Sequence, residues 1–184
     1  MINTKKKNSK YMENTVLVNK VAESGLITIN LENYFPQHDF EVFDLKDHLF
    51  HGLILKEKEF RDALKTEEWT KYQDKIVLII CSVDAIIPLW AYMLIESYLY
   101  GIAADTYHGT EEDYLRMYYK NVLNKMDFEK YIDQRIVIKG CSHKPVPAYA
   151  YGYITSLLKP YAQSIMFGEP CSTVPIFKRP RKLD

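Results

Sequence analysis

Three cysteines, Cys81, Cys141 and Cys171, are the residues of this 184-residue chain best suited to chemistry. As thiolates they bind soft metal ions or attack electrophiles. Two of them repeat a local pattern. Ile79-Ile80 leads into Cys81-Ser82 and then Pro88-Leu89-Trp90-Ala91-Tyr92. Lys139-Gly140 leads into Cys141-Ser142 and then Pro147-Ala148-Tyr149-Ala150-Tyr151. The two prolines lie 59 residues apart and the two cysteines 60. Each stretch reads as strand, Cys-Ser, short loop, Pro-x-aromatic-Ala-Tyr, helix. Each cysteine then stands at the carboxyl end of a strand, where open α/β sheets bind ligands. A helix N-terminus beside it offers partial positive charge and unpaired N–H groups, which favour thiolate.

Asp84 and His143 follow their cysteines by three and two residues. Cys171 lies in Gly168-Glu169-Pro170-Cys171-Ser172-Thr173-Val174-Pro175. Were that turn to fold over the sheet edge, all three thiols would converge on a metal ion, with His143 as fourth ligand and Asp84 as its alternative. No pair shows the C-x₂-C spacing of a strong zinc or redox motif. Plain structural roles compete at every position. Cys81 follows five apolar residues and suits a core; Asp84 suits a cap for the Pro88 helix; His143 suits a solvated loop. A thiol-enzyme alternative makes Cys141 the nucleophile and His143 its base. His48 and His51 read as packed surface, and His108 before Gly109 as a turn residue. There is no G-x-G-x-x-G, phosphate loop, H-E-x-x-H or G-x-S-x-G.

The elements that must position these residues follow from the pattern. Leu26 to Leu31, Lys75 to Ile80 and Ile136 to Ile138 read as strands. From Ile76 to Ile95 no Lys, Arg or Glu occurs, about the length of a membrane span. Asp84 and Pro88 interrupt it, and a buried strand plus a buried helix explains both breaks. Lys56 to Lys65 reads as an amphipathic helix, and Pro88 to Tyr100 as a buried one stopped by Gly101. Thr110-Glu111-Glu112-Asp113 opens a helix through Leu123 as a capping-box variant. Pro147 opens a last helix with Ile154, Leu157, Leu158, Tyr161 and Ile165 on one stripe, kinked by Pro160 and ended by Gly168 and Pro170. Residues 42 to 55 carry no clean period. The expectation is α/β (or α+β): a mixed sheet, two related β-loop-α units and additional packing helices. A disordered leader covers residues 1–14, and one globular domain covers 15–184.

Composition narrows the function classes. Hydrophobic residues are 47% and charged residues 26%, which excludes overall disorder. Lys+Arg equals Asp+Glu at 24 each, so no general basic field exists for nucleic acid or anionic lipid. The run Lys178-Arg179-Pro180-Arg181-Lys182 reads as a solubilising tail. An odd, low cysteine count does not suit a disulfide framework, and no apolar run follows Lys5-Lys6-Lys7. A cytoplasmic protein without a membrane or nucleic-acid partner is expected. Fifteen tyrosines read mainly as amphipathic packing, the hydroxyl reaching a polar partner.

Cys81 through Leu94, Lys139-Gly140-Cys141 and Gly168 through Pro175 resemble the bacterial domain of unknown function 2480 family, with Leu53 through Arg61 similar to its middle segment. The resemblance covers nearly the whole chain beyond the leader. By the genomic association of its members, it implies an accessory role in iron–sulfur cluster assembly. Zinc or an iron–sulfur cluster would then sit on Cys81, Cys141 and Cys171 with Asp84 or His143, and iron–sulfur assembly proteins would be partners. The alternatives are a homo-oligomeric interaction protein with structural cysteines and a thiol-dependent enzyme.

Overall fold

The computed structural model describes residues 25–140 and 143–180. The expected leader lies outside them. Seven strands and four α-helices occur among the described residues, and the strands form two sheets. One sheet has the order β2-β3-β4, from Phe40–Asp44, Ile76–Ile80 and Asp105–His108, all parallel. The other has the order β1-β5-β6-β7, from Leu26–Ile29, Arg135–Ile138, Ser164–Glu169 and Ser172–Lys178. Its first three strands are parallel and β7 is antiparallel to β6. The architecture is α/β. The helices are α1 (Glu57–Thr66), α2 (Leu89–Leu99), α3 (Glu111–Asn124) and α4 (Ala148–Leu158).

The uncharged stretch from Ile76 resolves into β3 and α2. Four successive residues of β3 are buried, as a parallel strand covered on both faces requires. No helix among the described residues is long and apolar enough to cross a membrane.

The sequence repeat extends through a whole β-α-β unit. A shift of 59 residues carries β3 onto β5, α2 onto α4 and the start of β4 onto that of β6. It also carries the buried Ala91, Ile95 and Leu99 onto Ala150, Ile154 and Leu158. Ahead of each unit a 3₁₀ turn buries a tyrosine, Tyr72 or Tyr131. Asp74 and Asp133 follow at φ 57° and 55°. Their N–H groups donate to Ile102 and Tyr161 carbonyls, each at 3.0 Å. Aspartate tolerates this left-handed conformation better than most residues. Beyond the unit the halves part: α3 follows β4, whereas β7 follows β6.

The two sheets share an interior. Val77 and Ile79 of β3 face α1 and α2, where Phe43, Phe60, Leu64 and Ile95 complete one cluster. Ile76 and Leu78 point the other way and join Ile136, Ile138, Tyr114, Tyr119 and Ile154 in a second. Two of the many tyrosines show why hydroxyl-bearing rings serve here. Tyr119 is fully buried and donates to the Leu31 carbonyl at 2.9 Å, and Tyr114 donates to Asp105 Oδ2 at 3.0 Å.

The last helix is shorter than its stripe of apolar residues predicts. It ends at Leu158, before Pro160, and Ile165 belongs to β6. Ile165 pairs with both Ile136 and Phe177, so its burial comes from a sheet face. Pro160 and the next stretch satisfied a 3.6-residue period by coincidence over one turn. Pro175 is tolerated because β7 is an edge strand. The basic tail is anchored as far as Arg179, which reaches Asp133 at 3.3 Å and the Pro160 carbonyl at 2.6 Å.

Just after β5 the backbone at Gly140 lies close against β6. A Cβ on Gly140 would lie 2.9 Å from Phe167 Cζ and 3.2 Å from the Gly168 Cα. Gly140→Ala is expected to cost about 1–3 kcal/mol in urea unfolding through overpacking. Combined with Phe167→Ala it should cost less than the two single changes together. Strictly additive losses would contradict this packing.

Candidate functional site at the edge of the parallel sheet

The C-terminal edge of β3 and β4 opens into a cavity of about 520 Å³. Cys81, Val83, Asp84, Ala85 and Ile87, from the loop between β3 and α2, form one wall. Tyr92 projects from the first turn of α2; His108 ends β4, and Asp113 lies in the first turn of α3. Apolar Ile79 and Ile87 add to the lining.

Cys81 is half-buried, and its thiol donates to the Val83 carbonyl at 3.3 Å. Only a neutral thiol makes that bond. The next residue is pinned from the neighbouring strand. Asp44 Oδ1, at the end of β2, accepts from the Ser82 and Lys46 N–H groups, both at 3.0 Å. Burial alone would raise the Asp44 carboxyl, but these bonds and the Ser82 side chain outweigh it and hold its pKa at about 2.

His108 is the best-organised group in the cavity wall. Its Nε2 lies 2.9 Å from Glu96 Oε1, while Glu96 Oε2 accepts from Thr106 Oγ1 at 2.8 Å. Both carboxylate oxygens are thereby used, which fixes the plane presented to the imidazole. The Tyr92 ring covers the imidazole at a centroid distance of 4.8 Å. Burial, and secondarily the negative charge of a Cys81 thiolate, push the Tyr92 phenol above its ordinary range. Asp113 instead closes the α3 capping box with Thr110, at 2.7 Å from its hydroxyl. Hydrogen bonding to Thr110 lowers its pKa.

The sequence-derived candidates separate. Cys81 and Asp84 line this cavity together. Asp84 does not cap α2: Pro88 occupies the N-cap, without a side-chain capping bond. His143 is exposed, and its N–H and that of Lys144 donate to Glu32 Oε1. Cys171 is exposed in the hairpin between β6 and β7, not at the end of a helix. Cys141 lies outside the described residues. Among the described residues no three His, Cys, Asp or Glu side chains gather into a group that could hold a metal ion.

His108, Glu96 and Tyr92 are the members that sequence patterns missed. The strand ending at His108 is only four residues long and polar at both ends, so His108 read as a turn. A signal for Glu96 existed: it is the one charged residue of α2. The internal repeat supplies a second signal. The 59-residue shift places Tyr151 at the position of Tyr92, Thr155 at Glu96 and Phe167 at His108. It places Gly140 at Cys81. In the second half Phe167 packs edge-on to Tyr151, with centroids 5.8 Å apart, and the Thr155 hydroxyl turns back to the Tyr151 carbonyl at 2.7 Å. Phe167 also occupies the space over Gly140. Among the described residues, Phe167 packs on Tyr151 and over Gly140 at one edge, where the matching positions of the other carry an imidazole, a tyrosine and a thiol.

The model of a family described as proteins of unknown function, DUF2480, matches residues 15–179. No curated protein and no solved structure matches the chain.

The Asp44 tie makes a pH-dependent prediction. Its folded pKa lies below the unfolded value, so its contribution is present above about pH 4 and lost as pH falls towards 2. Asp44→Asn should lower stability at pH 7 by on the order of 1–2 kcal/mol. Urea midpoints of the two proteins should approach each other by pH 2.5. A gap that stays constant over that range would contradict the tie.

Proposed function

We propose that this chain, which belongs to the DUF2480 family, is a thiol-dependent protein that binds a small ligand against Cys81. The observation that carries this reading is a half-buried thiol opening on a cavity of about 520 Å³ in company with His108 and Tyr92. That volume suits a small organic ligand. Its position fits as well, since the carboxyl edge of a parallel sheet collects the loops that most readily diverge without disturbing the core. A reduced thiol as the working group suits the cytoplasmic setting expected from the cysteine count.

A second reading narrows the iron–sulfur expectation, which took Cys81, Cys141 and Cys171 with Asp84 or His143 as ligands, to zinc or a cluster held by Cys141 and Cys171. Glu169 favours it. This residue precedes Cys171 by two, and its Oε1 is buried without a hydrogen-bond partner. Iron–sulfur assembly proteins would be the partners on this reading.

Labelling with monobromobimane separates the cavity thiol from the exposed one. The Cys81 rate should saturate with probe concentration, because binding in the cavity precedes reaction, while the Cys171 rate should rise linearly. Linear kinetics at both thiols would overturn the first reading. Anaerobic cobalt(II) titration tests the second: thiolate-to-metal absorption should appear and be lost in Cys171→Ser. A featureless spectrum from the unaltered protein would sink that alternative.

A further inference from the structure

Within the cavity, one pair of side chains is built as an acid–base unit and has no counterpart in the duplicated half. We propose that His108, positioned by Glu96, is the catalytic base and acid for Cys81, and that the cavity carries out nucleophilic substitution on a small electrophile bearing a leaving group. This deepens the preceding proposal and rests on it.

The need for a base follows from the thiol itself. Its proton points to the Val83 carbonyl, which cannot take it up, and a base in the same cavity speeds formation of the nucleophilic thiolate. His108 is the only imidazole among the residues lining that cavity. With one nitrogen held at 2.9 Å from Glu96 Oε1, the ring keeps a fixed orientation and a fixed tautomer while neutral. Thr106 fixes the carboxylate in turn. A nucleophile, a base and an orienting carboxylate therefore come from the β3–α2 loop, β4 and α2, three consecutive pieces of one β-α-β unit.

The electron and proton balance is simple. The Cys81 Sγ forms a bond to the electrophilic carbon, and the leaving group departs with its bonding pair. His108 removes the thiol proton, and the imidazolium is stabilised by Glu96 and then returns the proton to the leaving group. No oxidant or metal enters the step. The ionisable groups around His108 are Glu96 and Tyr92 from α2, Cys81 and Asp84 from the β3–α2 loop, and Asp113 from the start of α3.

The repeat argues that these groups are not demanded by the fold. The second half completes the same strand–helix–strand unit with Gly140, Thr155 and Phe167 in their places. A histidine–glutamate pair on one edge only is then a property of the site and not of the scaffold.

The test follows the monobromobimane rate at Cys81 between pH 5.5 and 9, with Cys171 as the internal reference; here bromide is the leaving group. A lone thiol gains about tenfold in rate per pH unit below its ordinary value near 8.5. The unaltered protein should depart from that line and keep a plateau near neutral pH. In His108→Gln the saturating rate at pH 7 should fall by about 10-fold or more, and the lone-thiol slope should return. The half-saturating concentration should stay unchanged. In Glu96→Gln the saturating rate should also fall, because the imidazole loses the carboxylate that orients it. A folded His108→Gln protein with an unaltered pH profile would overturn the pair while leaving the cavity reading standing. Linear Cys81 kinetics in the unaltered protein would instead remove the cavity reading, and this inference with it.

Discussion

Parallel neighbours cannot be joined by a tight turn; the chain must cross a sheet face and return to the edge from which it started. Everything of chemical interest in this protein descends from that constraint. Crossing over α2 brings the loop after β3 and the end of β4 to one rim, so Cys81 and His108 line the same cavity although 26 intervening residues separate them. The crossover helix must also be apolar towards the sheet, which it is through Ala91, Ile95 and Leu99. Its first two turns run beside the rim, and from there Tyr92 and Glu96 reach the imidazole.

The same construction used twice exposes what is variable in it. Both units spend an alanine, an isoleucine and a leucine at equal helix positions to seat the crossover against its sheet. Those positions are bound by close packing and admit little change. The rim positions are bound only by the volume they must fill. In one unit they are filled by an aromatic ring laid over a glycine; in the other an imidazole takes the position of that ring in the repeat and a cysteine the position of the glycine. The contrast needs no external relative, because the chain contains its own comparison.

Much of this was legible in the residue pattern, and the failures have physical causes. The β-branched run at Ile76 and the proline at 88 announced strand and helix, and the pairing of Pro88 with Pro147 announced the repeat. The capping box at Thr110 marked its helix start correctly. By contrast, β4 is short and polar because it lies on a sheet edge, and its assignment needs the register with β3. Without β4, His108 could not be placed at the rim. The spacing of Ile165 reads as helical, yet it belongs to β6, because a residue buried in a sheet face and one buried in a helix stripe look alike over a single turn. Asp84 was legible as a loop residue beside Cys81, whereas its capping role failed because the chain turns into α2 at Pro88 itself.

The interior common to both sheets has a further consequence. Ile76 and Leu78 share one hydrophobic cluster with Ile136, Ile138 and Ile154. Neither duplicated unit can shed its own strands and helix without opening a face of its sibling to water. The ancestral-looking halves are therefore not separable modules. Opening either unit would expose Ile76, Leu78, Ile136, Ile138 and Ile154 together.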